Sequence, residues 1–302
     1  MRIEQLEYIT AVAQFGSFRR AAEELHLSQP ALSESVRNLE RELGIEILDR
    51  GRSGTKISEA GRELLPHMLG AIDATRRLRQ LAGEQHESSR VVHLGTVTAA
   101  TVPLLTPTIR EFRETHPSTQ VEILTAQQAR IHTALLEGGM DLGLVNYLEG
   151  EEVSPEFDTT ELLRGHPVVC VKADSPLAAQ DSVRPADLAS EPLIAMRPGY
   201  VMHRYMDRLF DGDAPSFSFS ADGAEMGKLM VAQGLGAAVL PDYSVAGDPL
   251  EQSGAITYRE IEGDDTAVLL VIQRRRSSTP ARAVEDLHRL FVERAQAHAA
   301  LA

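Results

Sequence analysis

Apolar residues recur at helical spacing through the first 43 positions of the chain. A run at steps of four, three and four predicts one buried helical stripe, formed by Leu32, Val36, Leu39 and Leu43. Ser28 is a good N-cap, and Pro30 stands in the first turn, where its missing N–H costs nothing. We therefore predict a helix that begins near Gln29, preceded by helices over residues 3–14 and 17–25.

The face opposite this stripe is polar and charged. Short polar groups at the start of a helix, followed by an arginine, suit a helix that enters the major groove of DNA. The early side chains would reach base edges, while Arg37 would contact phosphate. Any amphipathic helix pair shows a similar pattern, so a purely structural pair is the alternative. The candidate DNA contacts here are Ser17, Arg19, Ser28, Gln29, Pro30, Ser33, Glu34 and Arg37.

The segment after Gly44 reads as two short strands around Gly51 and Gly54. Cations occupy both limbs of this turn, and we expect them to clamp phosphates beside the groove. A solvated hairpin is the alternative. The cations are Arg50, Arg52 and Lys56.

A long helix is predicted from Ser58 to about Gln85, followed by a polar hinge at residues 83–90. Its apolar positions form two neighbouring rows, a stripe wide enough to need a partner. The rows hold Leu64, Met68, Ala71, Thr75 and Leu78, and Leu65, Leu69 and Ile72. The partner is either the same helix of a second subunit or another part of this chain.

Beyond the hinge the pattern changes to alternating strands and helices. Strands are predicted at residues 91–97, 121–124 and 141–145, with helices at 104–115 and 130–137 between them. Such alternation implies a parallel sheet with helices on its faces. A second unit of the same kind begins with strands at 167–171 and 192–196 and continues to 237–241. The chain then returns through a strand near 267–273 and a closing helix at 280–297.

The segment GSFRRAAEELHLSQPALSESVRNLERELGIEILDR, followed by TKISEAG, resembles the winged helix-turn-helix of LysR-type transcriptional regulators. The likeness is dense over residues 1–65 and weaker to the C-terminus. It implies a linker helix that pairs two subunits, and an effector domain of two α/β lobes like a periplasmic solute-binding protein. It also implies a homotetramer. The chain departs from the family at Glu34, where a basic residue is common, and at His26, where helix-turn-helix motifs often have glycine.

Ligands of such folds lie at the carboxyl ends of the parallel strands, between the lobes. This rule, together with the family resemblance, selects Thr96, Thr98, Ala99, Thr101, Gln127, Gln128, Asn146, Arg197 and Tyr200. The threonines precede a helix and suit a carboxylate, although they serve equally as helix caps. Arg197 is the cation suited to an acidic effector, or else a surface arginine in a salt bridge.

Composition narrows the function further. The net charge of −14 is concentrated beyond residue 90, with 17 basic and 30 acidic residues there against 13 and 14 before it. We expect a cytoplasmic protein, because the sequence has neither a signal peptide nor an apolar run long enough for a membrane.

The single Cys170 lies between valines and is expected to be an inert core thiol, whereas peroxide-sensing relatives use a reactive cysteine. Histidine spacing predicts no metal site, no catalytic motif is present, and no cofactor or enzymatic activity is expected.

The sequence therefore predicts an α/β protein with an N-terminal all-α winged helix-turn-helix. The domains are residues 1–58 for DNA binding, 59–88 for the linker and dimerisation helix, and 89–302 for effector binding. In the last, lobe I spans about 89–162 and 267–302, and lobe II about 163–266. The expected partners are promoter DNA, a small effector such as a carboxylate, and a second copy of the chain, with RNA polymerase as a further candidate. The alternatives are a regulator without a ligand and a cytoplasmic solute-binding protein.

Overall fold

The structure, a computed structural model, describes residues 1–25, 27–51, 54–83, 91–213, 215–276 and 280–299. Within these ranges the side chains of residues 50, 51, 54, 73, 76, 77, 79–83 and 299 are not described. The predicted turn residue His26, the wing residue Arg52, the side chain of Arg50 and most of the predicted hinge thus lie outside the described residues. The chain divides into two units, residues 1–87 and 88–302.

The N-terminal unit contains four helices and a two-stranded antiparallel sheet. The helices are α1 (Ile3–Phe15), α2 (Phe18–Glu24), α3 (Gln29–Leu43) and α4 (Glu59–Gly83). The strands β1 (Leu48–Gly51) and β2 (Gly54–Ile57) pair where two strands were predicted. Apolar side chains of all four helices and of β1 form one core. Its most deeply buried members are Ile9, Val12, Ala21, Leu32, Val36, Leu39 and Ile47.

Local sequence signals set both ends of α3. The Ser28 hydroxyl accepts a hydrogen bond from the Ala31 N–H at 3.3 Å, and Gly44 ends the helix in the left-handed region at φ 73°. Leu32, Val36 and Leu39 are fully buried as predicted. The prediction was wrong for Leu43, which is 40% exposed because the last residue of the helix has passed the edge of the core.

Part of the apolar stripe of α4 packs within its own unit. Met68 and Ile72 are buried in the core that α1 and α3 also form, which is one of the two alternatives that the sequence left open. Leu69 and Leu78 point elsewhere, with 45% and 69% of their surface exposed. Pro66 lies inside the helix, which runs without a break from Glu59.

Lobe I of the second unit is built on a five-stranded sheet in the order β4-β3-β5-β13-β6. The strands are β3 (Val91–Thr96), β4 (Gln120–Thr125), β5 (Leu142–Leu148), β6 (Phe157–Gly165) and β13 (Val268–Arg275). As predicted, β3, β4 and β5 are parallel, with α5 (Thr106–Thr115) and α6 (Gln128–Leu136) as connections. The returning β13 is antiparallel to β5 and β6, and α11 (Arg282–Ala299) packs nearby.

Lobe II departs from the predicted parallel unit. Its four-stranded sheet has the order β11-β7-β12-β8, in which β7 (Pro167–Lys172) pairs antiparallel with both β11 (Ala238–Pro241) and β12 (Ile256–Ile261). The strand β8 (Ser182–Val183) is parallel to β12. A separate parallel pair joins β9 (Ile194–Met196) and β10 (Phe219–Ala221). The helices are α7 (Pro185–Leu188), α8 (Val201–Leu209), α9 (Ala224–Ala232) and α10 (Pro249–Gln252).

The connection after β3 is irregular where the ligand end of the sheet was predicted. A 3₁₀ turn at Thr98–Ala100 is followed by a π-helical turn at Thr101–Leu105, which leads into α5. π turns inside helices are rare and occur frequently at functional sites. Among the described helices, none has both the length and the hydropathy that crossing a membrane requires.

Candidate functional site

The N-terminal half of α3 presents polar side chains to solvent. Gln29, Pro30, Glu34 and Arg37 are exposed, whereas Ser33 is half-buried. The Arg37 Nε donates to the Ser33 carbonyl at 3.3 Å, which holds the guanidinium along the helix surface. Because the opposite side of α3 is fixed in the core, this face is held rigidly and stays available to a partner.

Three further predicted contacts lie in the same unit. Arg19 is exposed near the start of α2, with the Glu23 carboxylate 3.9 Å away, and Lys56 is exposed on β2. The Ser17 hydroxyl accepts from the Arg20 N–H at 3.5 Å, so it acts as the cap of α2.

The β1–β2 hairpin is joined to α3 through one carboxylate. Oε1 of Glu40 on α3 accepts from the N–H groups of Ile47 at 2.9 Å and Leu48 at 3.1 Å. These bonds fix the start of β1 against α3, so the described part of the hairpin, with Lys56 on β2, and the polar face of α3 belong to one surface.

A second candidate site lies between the two lobes at the carboxyl ends of β3 and β5. It is a cavity of about 30 Å³, the interlobe cavity, and its walls are mainly apolar. The residues that line it are Val97, Thr98, Ala99, Gln128, Asn146, Met196, Gly199, Tyr200, Val201, Met202, Gly223, Ala224, Leu240 and Pro241. None of these described lining residues carries a charge.

Five of the nine predicted effector contacts meet in this cavity. They are Thr98, Ala99, Gln128, Asn146 and Tyr200. Thr96 is fully buried and its hydroxyl donates to the Val97 carbonyl at 2.9 Å, and the Thr101 carbonyl accepts from the Thr106 hydroxyl. The N-cap positions of the turns that follow are Val97 and Ala100, so neither threonine is the helix cap that the sequence left open as an alternative.

Gln127 and Arg197 also lie outside the cavity lining. The Gln127 Nε2 donates to the Pro198 carbonyl at 3.0 Å and so joins the two lobes at the rim. Arg197 is 57% exposed, with its Nη1 3.8 Å from Oδ2 of Asp222. The Tyr200 hydroxyl donates to Oδ1 of the same carboxylate at 2.7 Å. Burial, together with that carboxylate, raises the pKa of Tyr200 to about 12, so its hydroxyl stays a donor.

Asn146 is the most informative lining residue. It is 3% exposed in the middle strand β5, and its Oδ1 has no hydrogen-bond partner among the residues that the structure describes. A buried acceptor without a partner costs about 1–3 kcal/mol. A ligand in the interlobe cavity that donated a hydrogen bond to this oxygen would remove the free-energy cost of leaving it without a partner.

Hydrogen bonds and ion pairs hold the lobes together around the cavity. The Thr98 hydroxyl accepts from the Ala224 N–H at 2.8 Å. Arg204 of α8 donates to Glu151 of lobe I at 2.8 and 3.0 Å and to Gln128 Oε1 at 3.4 Å. Burial opposes ionisation of Glu151, but hydrogen bonds from Arg204 and from the Leu148 N–H outweigh it and lower the pKa. We call this set the interlobe latch: Thr98–Ala224, Gln127–Pro198, Gln128–Arg204 and Glu151–Arg204.

Gly223 lets the lobes approach this closely. It adopts φ 95°, and a Cβ placed there would lie 2.3 Å from the Thr98 hydroxyl oxygen. A side chain at this position would force the lobes apart as well as strain the backbone.

Sequence reasoning missed the apolar half of the lining. These residues are Met196, Val201, Met202 and Leu240, and in the sequence they looked like ordinary core residues. Their position beside the ligand end of lobe I depends on how lobe II folds back, and no local signal reports that.

Cys170 behaves as predicted. It is fully buried, and burial raises the pKa of its thiol to about 12, so the thiol is protonated at neutral pH. Within the described residues, no group of three or more histidine, cysteine, aspartate and glutamate side chains is arranged to hold a metal ion.

Comparison with known proteins covers both units. The family model "Bacterial regulatory helix-turn-helix protein, lysR family" matches residues 3–62, and "LysR substrate binding domain" matches residues 85–296. The DNA-binding transcriptional dual regulator OxyR of Escherichia coli K12 is 32% identical over 251 residues, covering 81% of this chain and 80% of OxyR. The Hca operon transcriptional activator HcaR of the same strain is 27% identical over 278 residues, covering 90% and 91%. The crystal structure of CbnR, a LysR family transcriptional regulator, has the same fold, with a TM-score of 0.72, 20% identity and 99% of each chain covered.

Proposed function

Because this chain belongs to the LysR family of DNA-binding transcriptional regulators, we propose that α3 reads its DNA site and that an uncharged small molecule in the interlobe cavity controls this binding. The observation that supports the proposal is the buried Asn146 Oδ1 in a mainly apolar cavity, an acceptor for which the described residues supply no hydrogen-bond donor. A ligand that donates one hydrogen bond and buries an apolar body would match both features.

An uncharged effector fits the lining better than the carboxylate expected from the sequence. A buried carboxylate needs a cation or several donors, because its desolvation costs far more than that of a neutral group. Arg197, the cation suggested for that role, faces Asp222 outside the cavity. The lining offers the Asn146 amide, the Thr98 hydroxyl and the Gln128 amide instead.

Binding would also move the lobes. A cavity of about 30 Å³ has room for about two water molecules, and an organic effector is larger. The effector would therefore favour an arrangement in which the lobes stand further apart and the bonds of the interlobe latch are lengthened or exchanged. Only such a difference in affinity between two arrangements lets a ligand shift their equilibrium.

The regulator would act as an assembly. Leu69 is exposed on α4, and a second copy of the helix packed on that side would bury it. Pairing two copies of α3 in this way suits a partly palindromic operator. The homotetramer and a contact with RNA polymerase stay predictions.

Peroxide sensing by the chain's own cysteine is not supported. OxyR, one of its relatives, shares 32% identity. The single Cys170 is buried with a pKa of about 12, whereas the reactive form of cysteine is the thiolate. A bound effector is the input that the cavity favours.

A salt titration tests the DNA-binding half of the proposal. We expect the full-length chain to prefer the DNA upstream of its own gene over a scrambled fragment of equal length. Affinity should fall with salt at a log–log slope of about −0.9 for each phosphate contacted. Because residues 1–90 are nearly neutral, the slope should be shallow compared with that of a strongly basic protein. Fluorescence anisotropy measures both quantities, and equal affinity for the two fragments would contradict specific reading.

Replacing Asn146 with leucine tests the effector half. We expect the Asn146→Leu variant to gain about 1–3 kcal/mol in the free energy of unfolding, because a buried acceptor without a partner is removed. Urea denaturation of the full chain measures this gain. The same variant should lose binding of the primary amide propionamide, with propionate as its charged counterpart in calorimetry.

Thr108→Val is the matched control. Thr108 is fully buried, and its Oγ1 also has no hydrogen-bond partner among the described residues. Thr108 does not line the interlobe cavity. The Thr108→Val substitution should raise the free energy of unfolding without changing the binding of amides. A loss of stability in Asn146→Leu would mean that its amide is structural, and tighter binding of propionate would contradict an uncharged effector.

A further inference from the structure

Lobe II contains a second and larger cavity that the proposed regulation does not use. We call it the lobe II cavity; it has a volume of about 200 Å³ and lies between α8, β9 and the segment before β10. Its lining residues are Leu193, Ile194, Ala195, Met196, Met202, His203, Met206, Asp207, Pro215, Ser216, Phe217 and Val239.

The size of this cavity suits one ring-shaped molecule. Engineered cavities of about 150 Å³ in apolar protein cores bind benzene. At about 200 Å³ the lobe II cavity exceeds that volume, and the interlobe cavity is several times smaller. A ring of six to nine heavy atoms would therefore fit without movement of the lobes.

The lining specifies an uncharged and mainly apolar ligand. Met196, Met202 and Met206 contribute three flexible thioethers, which adapt to irregular shapes and favour contact with aromatic rings. Phe217 also lines the cavity, and its ring is available to pack on an aromatic ligand.

The polar groups at the same cavity contact each other. The His203 Nδ1 lies 3.1 Å from Oδ2 of Asp207 one helical turn along α8. Together with the exposed Ser216 they can hydrogen-bond a single hydroxyl or N–H at the solvent side, and the Asp207 carboxylate disfavours an anionic ligand.

The two cavities share part of their walls. Met196 and Met202 line both of them. The helix α8 that carries Met202 and Met206 also carries Arg204 of the interlobe latch. A molecule that repacks these methionines would therefore change the shape of the interlobe cavity and the position of the latch arginine.

We propose that the lobe II cavity is a second ligand site, which binds an uncharged aromatic ring bearing one hydrogen-bond donor and is coupled to the interlobe cavity through Met196 and Met202. The site exists in the effector-binding unit alone. It does not depend on DNA reading or on the nature of the effector between the lobes.

Phenol and indole are the probes for this proposal, used with the full-length chain labelled with ¹³C at its methionine methyl groups. We expect saturable shifts of the Met196, Met202 and Met206 signals, with those of Met140 in lobe I unchanged. Single Met→Leu variants assign the signals. Benzoate should produce much smaller shifts, because its charge has no partner in the cavity.

Ser216→Phe and Ser218→Phe form a matched pair. Ser216 lines the cavity, whereas Ser218 is exposed two residues further on and does not. The first should weaken indole binding at least about tenfold, equivalent to about 1.4 kcal/mol, and the second should leave it nearly unchanged. If Ser216→Phe does not fold, Ala195→Leu narrows the same cavity from β9.

Three results would each overturn the proposal. The first is the absence of any shift at millimolar phenol and indole. The second is a set of shifts confined to the exposed Met226, which indicates adsorption at the surface. The third is equal loss of affinity in the Ser216→Phe and Ser218→Phe variants.

Discussion

Asp248→Asn is expected to lower the free energy of unfolding by about 3–5 kcal/mol, because it removes the charge that compensates a buried ammonium. The Lys228 side chain is 1% exposed and that of Asp248 4%, and the two form a direct ion pair. Lys228 also donates to the Ser244 carbonyl at 2.8 Å and to Glu225 at 3.0 Å. The neutral amide keeps the size of the side chain, and its Oδ1 can still cap α10, but its NH2 group then faces the Lys228 ammonium. The ammonium therefore loses both a negative charge and a hydrogen-bond acceptor. Urea denaturation measures it.

The same substitution at an exposed pair is the control. Asp187 receives two hydrogen bonds of 2.8 Å from Arg184 in the same lobe, but that arginine is exposed to solvent. Asp187→Asn should therefore cost far less. The double variant Lys228→Met with Asp248→Asn should recover most of the stability lost in Asp248→Asn. An equal cost at the two aspartates would show that Lys228 finds compensation elsewhere.

This ion pair also bears on the interlobe cavity. Lys228 lies on α9, whose first residue Ala224 lines the cavity and donates its N–H to Thr98. Asp248 and Ser244 belong to the segment that follows Leu240 and Pro241, two further lining residues. Loosening the pair would therefore loosen the lobe II wall of the cavity, and effector response should weaken together with stability.

The DNA-binding unit was predictable because its signals are local. The Ser28 cap, Pro30 in the first turn and Gly44 at φ 73° each act within one helical turn. The stripe of α3 was correct up to Leu39 and failed at Leu43, where burial depends on how far neighbouring elements extend. The extent of the neighbouring elements cannot be read from the spacing of apolar residues within one helix.

The lobes were less predictable because their strands depend on distant partners. The strands β6 and β12 mix polar and apolar residues, as the buried and exposed positions of DTTELL within β6 illustrate. Their position as antiparallel neighbours of β13 and β7 comes from chain reversals that leave no periodic signal. The parallel part of lobe I, in which strands alternate with helices, was predicted correctly.

The candidate site shows the same division. Strand-end reasoning in lobe I found Thr98, Gln128 and Asn146, because the carboxyl ends of parallel strands share one edge. The same reasoning also selected Arg197, which does not line the cavity. Its exposed position beside Asp222 depends on the turn after β9. The methionines of lobe II were missed because an apolar residue beside a ligand and one inside a core look alike in sequence.

Gln29→Ala is expected to weaken specific DNA binding by about 1–3 kcal/mol, or about 5- to 150-fold, because an amide at the start of α3 can bond a base edge in two places. Gln29 is exposed and its loss removes no core contact, so the fold should not change. Binding to scrambled DNA should be nearly unaffected. The measurement is fluorescence anisotropy at fixed salt with the DNA upstream of the gene and with its scrambled counterpart.

Two companion variants separate the recognition of bases from electrostatic attraction to the DNA backbone. Gln14→Ala changes an exposed glutamine at the end of α1 and should leave both affinities unchanged. Arg37→Ala should weaken specific and scrambled binding alike and reduce the salt slope by about one, as expected for a phosphate contact. If Gln29→Ala behaved like Gln14→Ala, the exposed face of α3 would not read bases. If it behaved like Arg37→Ala, Gln29 would position the helix on the backbone, and specificity would have to come from other residues or from the shape of the DNA.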